Sequence, residues 1–428
     1  MPDLREGYVS LKRWAALAAP VLVAGGVLAA SHAGAQEFLR FGPAGEGPSQ
    51  ARSGGYDRSF IREWQANPPK GYPTLNKANL EPTRKAVARY EQIVATGGFP
   101  LVPQVELEPG MTDAAVSVLR RRLQRSGDLD AAETNYPEHY GSDLVTAVKR
   151  FQASNGLAPT GVVDRRTIAA LNIPSEVRLA QLKTNLTRLN DLAGMVRKRY
   201  VMVNIPAAQI EAVENNAVAM RYSGVVGKPD RPTPLLRSTI TDLAFNPPWT
   251  LPPTVIKEDL IPKGRDMQSK GQNVLVKYGI DAYEGGKKLD PEAINWASNR
   301  PFQLTYRQIA GKENPLGFLK INFANSESVY MHDSPKESLF GRNFRAASSG
   351  CVRVQNIGDL ATWLLAGQGT ADQVEHLRES GETRTVRLRR PVPLYFAYVT
   401  AWATPDGVIQ FRPDLYLKDG VGKVAAAY

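Results

Sequence analysis

The chain has 428 residues, 43% of them hydrophobic and 22% charged, and carries a formal charge of +11. This is the composition of an ordinary globular protein, and at ~150 residues per domain the length calls for two or three domains. The positive excess favours an anionic partner, and the single cysteine excludes an internal disulfide.

At the N-terminus, Lys12 and Arg13 precede an apolar run from Trp14 to Ala30, and Ala33-Gly34-Ala35 comes next as a small-x-small exit site. This pattern predicts a secretory signal peptide over 1–35, cleaved before Gln36. The run is short and Gly/Ala-rich for a membrane span, which needs ~20 strongly apolar residues. An uncleaved anchor is the alternative. The expected location is therefore the periplasm or cell envelope. Export argues against nucleic acid as the anionic partner and in favour of a cell-wall polymer bearing carboxylates.

Residues 36–57, rich in Gly, Ser, Pro and Ala, read as a flexible leader. Residues 58–110 read as a helical segment interrupted by Asn67-Pro68-Pro69 and Tyr72-Pro73. In 111–174, Val116, Leu119 and Leu123 recur at helical spacing, and so do Leu144, Val148 and Phe151. A turn at Pro159-Thr160-Gly161 leads to Asp164 and a third helix, Arg165 to Leu171, stopped before Pro174. The wording L-R-R-R-L-Q-R-S-G-D-L, then F-Q-A-S-N-G-L-A-P-T-G-V-V-D-R-R-T-I-A-A-L-N, resembles the small three-helix peptidoglycan-binding domain appended to many cell-wall enzymes. Thr160 stands where that family usually has Asp. The alternative is a helical spacer.

Residues 175–199 carry an apolar stripe, Leu179, Leu182, Leu186, Leu189 and Val196, expected to dock the helical unit onto the strand-rich remainder of the chain. From Tyr200 the pattern turns to strands, with Val201, Val203 and Ile205 alternating and 218–223 as a second strand. Asn246 to Pro253 holds too much proline for a central strand and reads as a rigid loop that offers Trp249 as a wall. Residues 255–310 read as a polar insertion with helical pieces, placed as a lid would be.

The chemistry concentrates between Tyr330 and Val354. Here stand the chain's one cysteine, Cys351, and one of its four histidines, His332. A thiol is nucleophilic as thiolate, and a nearby imidazole can take its proton. Strand alternation puts Tyr330 and His332 on one face and Met331 on the other, then Cys351 and Arg353 on one face and Val352 and Val354 on the other. The apolar set can fill a core while the polar set lines a cleft. Asn356 is expected to cap a helix beginning near the thiol and to help keep it ionised.

The stretch H-D-S-P…L-F…R-A-A-S-S-G-C-V-R-V resembles the active-site signature of the murein L,D-transpeptidases, in the long subfamily with an attached peptidoglycan-binding domain and a capping insertion. The likeness takes in G-K-P-D-R-P-T-P, N-P-P-W-T-L-P and P-V-P-L-Y-F-A-Y-V-T-A-W, and Ser349 replaces the family's commoner second histidine. The resemblance implies a multidomain chain, with a helical peptidoglycan-binding domain and a mostly β, mixed-sheet catalytic domain over 200–428 bearing an inserted cap. It implies Cys351 as nucleophile, His332 as general base and acid, and Asp333 orienting the imidazole through its carbonyl. The backbone N–H groups of Ser349, Gly350 and Cys351 would form the oxyanion hole, and Tyr330, Arg353 and Trp249 would contact substrate. The implied reaction joins two tetrapeptide stems of peptidoglycan through a cysteine thioester, giving a 3→3 cross-link. No cofactor or metal enters it. Other cell-wall synthesis enzymes are possible partners.

Other readings fit less well. Papain-like proteases place Cys before His, and the caspase Q-A-C-x-G wording is missing. Gly224 to Lys228 is too compact for a phosphate loop, and neither H-E-x-x-H nor C-x-x-C occurs. Two alternatives remain open. One is an L,D-carboxypeptidase or hydrolase at the same site, and the other a non-catalytic wall-binding scaffold. His139 and His376 are expected to be isolated surface residues on helices.

Overall fold

The computed structural model describes residues 70–131, 135–311, 313–342 and 344–425. The predicted signal peptide, the leader and the start of the helical segment (58–69) lie outside the described residues. Helix α1 is Leu80–Ala95. Three helices come after it, α2 (Ala114–Ser126), α3 (Ser142–Ser154) and α4 (Arg165–Leu171). Their apolar stripes close over one core containing Val116, Leu119, Leu123, Leu144, Val148, Phe151 and Ile168. Asp113 and Asp164 cap α2 and α4 by accepting from the Ala115 and Thr167 N–H groups, which satisfies donors a helix start leaves open. Gln152 clamps the turn, donating to the Val162 carbonyl (2.7 Å) and accepting from Gly161 N (2.9 Å). Thr160 has a structural task there, because its hydroxyl accepts from Gln152 Nε2 and from Val162 N.

Helix α5 (Ser175–Ala193) buries Leu182 and Leu189 against different partners. Strands β1 (Arg199–Asn204), β2 (Gln209–Glu214), β3 (Ala217–Gly227) and β4 (Leu236–Phe245) come next. The insertion holds β5 (Trp249–Thr250), helices α6 (Ile261–Ser269) and α7 (Val274–Tyr278), β6 (Ile280–Glu284), β7 (Lys287–Lys288) and β8 (Thr305–Gln308). The chain continues through β9 (Leu319–Phe323), β10 (Met331–His332), β11 (Ala346–Ser348), β12 (Val352–Val354), helices α8 (Ile357–Leu364) and α9 (Ala371–Ser380), β13 (Arg384–Ala397), β14 (Ala401–Ala403) and β15 (Ile409–Phe411).

The large sheet runs β11-β3-β12-β10-β9-β4-β13-β1-β2, and β2 pairs again with β3, so the strands from β3 to β2 close on themselves. Its pairings are mixed: β1 with β13 and β10 with β12 are parallel, whereas β4 with β9 and β4 with β13 are antiparallel. Both faces of β1 are buried. Val201 and Val203 enter the core inside the closed sheet, while Tyr200 and Met202 pack outside it with Leu189 of α5. Period-two alternation with apolar residues at every position produces such a strand.

Two expectations change in the insertion. Trp249–Thr250 is a strand, β5, at the edge of a second sheet ordered β5-β8-β6-β7. The edge position reconciles this with the flanking prolines, which cannot serve a central strand. The insertion also has its own apolar core, including Trp249, Leu260, Tyr278, Trp296, Tyr306 and Leu316. It is a packed unit, and its core extends past both ends of 255–310. His139 is not helical either; it sits in an isolated bridge to Thr112.

Candidate active site

Strands β10 and β12 lie side by side and parallel, with Met331 opposite Val352 and His332 opposite Arg353. The Val352 N–H donates to the Tyr330 carbonyl (3.0 Å), which places Cys351 beside Tyr330. Met331, Val352 and Val354 are fully buried in the sheet's core. Alternation therefore sends Tyr330, His332, Cys351 and Arg353 to the other face. His332 is thus diagonal to Cys351, and no hydrogen bond joins them among the described residues. The sulfur instead meets Tyr330, through both the backbone and the phenol of that residue.

The tyrosine links the site to the insertion. Its hydroxyl accepts from Trp249 Nε1 (3.0 Å), and its ring meets the His332 ring edge-on at 5.7 Å between centroids. Trp249 is buried, so the wall it provides acts through Tyr330. His332 Nδ1 donates to the Asp333 carbonyl (2.5 Å), and the Pro315 carbonyl also hydrogen-bonds the ring. Burial, together with the nearby Arg353 charge, pulls the imidazole down to about 3. The ring is neutral at physiological pH. Burial pushes the Cys351 thiol up, opposed by the Tyr330 hydrogen bonds and by the charges of Lys320 and Arg353.

The turn before the cysteine is tightly tied. Ser348 Oγ donates to the Cys351 carbonyl (2.5 Å) and accepts from Gly350 N (3.2 Å). The Gly350 N–H, expected to serve an oxyanion hole, is thus engaged by a side chain. Thr233 Oγ1 donates to the Gly350 carbonyl (2.8 Å). Gly350 has φ +112°, a region closed to other residues on steric grounds. A Cβ there would meet nothing nearer than 3.6 Å, so the glycine serves the backbone bend and not a close approach. Asn356 does precede α8, but its φ is +50° and its side chain makes no capping bond. Burial outweighs the nearby positive groups, so the expected help in ionising the thiol is corrected.

Residues 198–375 match the family described as L,D-transpeptidase catalytic domain, and 112–171 the one described as "Putative peptidoglycan binding domain". Residues 198–375 thus carry an L,D-transpeptidase catalytic domain by this match, which takes in under half of the chain. A Haemophilus influenzae protein named "Putative L,D-transpeptidase" is 33% identical over 219 residues, covering 50% of this chain and 44% of its own length. The chain thus spans less than half of that relative. An L,D-transpeptidase of Mycobacterium smegmatis aligns at 14% identity over 47% of this chain and 58% of its own, with a TM-score of 0.21. One of Stackebrandtia nassauensis aligns at 12% over 70% and 96%, with a TM-score of 0.26. Neither structural likeness is close enough to argue from.

Three further residues shape the site of this L,D-transpeptidase domain. Lys320 lies opposite His332 across β9, its Nζ 4.4 Å from the centre of the Tyr330 ring. Burial pulls its ammonium down, while an ionised Cys351 sulfur would raise it. The alternation Leu319-Lys320-Ile321 carried this signal, since Lys320 faces away from the core side of β9. Arg231 donates to Ser349 Oγ (3.1 Å) and also pairs with Glu258, in the insertion. Gly317 (φ +61°) lies so close to Asp333 that a Cβ would come within 2.1 Å of its Oδ2. That same oxygen accepts from Phe318 N (3.1 Å), so Asp333 holds the 317–318 turn as well as the imidazole. Sequence spacing shows neither of these last two contacts, because each joins distant segments.

Proposed function

We propose that this domain forms 3→3 cross-links in peptidoglycan through a Cys351 thioester. One observation carries the reading: a thiol, a phenol and a neutral imidazole share one sheet face within an L,D-transpeptidase catalytic domain. Tyr330 touches both the Cys351 sulfur and the His332 ring, and the thiol proton passes to His332 once bound substrate draws the two groups together. The thiolate attacks the carbonyl of the third residue of a tetrapeptide stem. Backbone N–H groups of Ser349 and Cys351 receive the oxyanion, a contribution often worth several kcal/mol. The C–N bond breaks, the imidazolium protonates the departing D-Ala amine, and a thioester remains. A side-chain amine from a second stem attacks that thioester and the thiol re-forms.

Asp333 orients His332. Arg353 and Lys320 place positive charge near the sulfur and any stem carboxylate, with Tyr330 and Trp249 as a wall. Such a protein works outside the cytoplasm, as the signal-peptide reading requires. Among the described residues no helix is long and apolar enough to cross a membrane. The test is to incubate the chain and its Cys351→Ala form with disaccharide-tetrapeptide and follow the products by mass spectrometry. A dimer lacking one D-Ala, seen only with intact Cys351, is the expected result. Tripeptide alone supports the carboxypeptidase reading. No turnover and no carbapenem adduct leave a wall-binding scaffold.

A further inference from the structure

A cavity of about 620 Å³ opens between the three-helix unit and the β14–β15 hairpin, and none of Tyr330, His332 or Cys351 lines it. Seven arginines line it against two aspartates and no glutamate or lysine. Residues from both sides build it, with Arg122 and Arg150 from α2 and α3, and Arg221, Arg345 and Arg412 from the catalytic side.

Two of these guanidinium groups form no ion pair among the described residues. Arg122 is 2% exposed, lies 3.6 Å over the Phe99 ring and donates its Nε to the Leu171 carbonyl. Its Nη1 is buried with no hydrogen-bond partner among the described residues. Arg345 spends its donors on the backbone carbonyls of Gly224, Arg342 and Ala207. A buried charge without a partner is costly, commonly several kcal/mol, and a counter-charged ligand would relieve that cost. Burial pulls both groups down to about 10 and pushes the Asp128 carboxyl up. The volume falls within the ~300–1,000 Å³ of small-molecule sites. Trp402, with the Arg412 guanidinium 5.1 Å from its ring, adds an apolar surface.

We propose that this cavity is a second binding site, distinct from the catalytic cleft, for the free carboxylates of a peptidoglycan peptide stem. It rests on the reading that the wall polymer is the substrate, and it gives the three-helix unit and the catalytic side a shared ligand. Arginine suits the task because its planar fork meets a carboxylate with two parallel hydrogen bonds.

The experiment uses the exposed rim, so that folding is not at stake. Arg89 and Arg150 line the cavity, are exposed, and make no hydrogen bond to a described residue. Calorimetry at low salt measures disaccharide-tetrapeptide binding to the full Cys351→Ala chain, with and without Arg89→Gln and Arg150→Gln together. A stem with all its free carboxylates amidated serves as control. The expected result is about tenfold weaker binding in the double variant, matched by the amidated stem on the parent chain. Equal binding in the two proteins, or equal binding of the two stems, overturns the proposal. Turnover with intact Cys351 in the same Arg89→Gln, Arg150→Gln background keeps the two readings apart. Turnover with no charge dependence of binding sinks only the cavity. Charge-dependent binding with no turnover sinks only the cross-linking reading.

Discussion

Replacing His332 with Gln should make the protein more resistant to acid. Gln keeps an N–H that can donate to the Asp333 carbonyl but cannot take up a proton. In the fold, burial and Arg353 pull His332 down to about 3, whereas an unfolded histidine titrates near ~6.5. Between those values the unfolded chain binds more protons, so stability falls as the pH falls. The contribution is complete above pH ~6.5 and declines toward pH ~3, at up to ~1.36 kcal/mol per pH unit for one site. At pH 4.5 the parent chain should have lost roughly 3 kcal/mol that the His332→Gln form retains. Urea unfolding at pH 8, 6.5, 5.5 and 4.5, followed by near-ultraviolet dichroism, compares the two. The stability curves should run parallel above pH 6.5 and diverge below it. Curves that stay parallel down to pH 4.5 would show that burial and Arg353 do not depress the imidazole in the fold.

The thiol gives a second pH test. Because burial pushes Cys351 up, its alkylation by iodoacetamide should keep rising with pH beyond the range of an ordinary thiol, and a plateau at neutral pH would contradict that balance. Lys320→Met removes one of the charges that lower it, and should slow alkylation at pH 7.5 by about tenfold, the effect of a one-unit shift. Gly317→Ala should lower the unfolding free energy by roughly 2 kcal/mol or more through backbone strain and displacement of Asp333; thermal denaturation reads this directly. Arg231→Ala should lower stability, because it leaves the buried Asp259 without its arginine, and should cut acylation by a β-lactam about tenfold by freeing Ser349 from Glu258. Equal acylation rates in the two proteins would show that this link to the insertion does not matter to the site.

Local pattern alone was enough for much of this molecule. Helical spacing defines α2, α3 and α4, because each stripe meets the others in one small core made from nearby sequence. Alternation separates Met331, Val352 and Val354 from Tyr330, His332, Cys351 and Arg353, because a strand has only two faces and one of them is buried. The closure of the large sheet through β2 and β3, the edge position of β5 and the packed core of the insertion depend on contacts between distant segments. The same holds inside the site. Register decides that Cys351 stands beside Tyr330 with His332 on the diagonal, and it brings in Lys320 from β9. Burial decides that the imidazole is neutral and that the thiol is raised despite the cations around it. Sequence can name the groups able to react, but their protonation depends on how much water and charge the folded chain leaves around them.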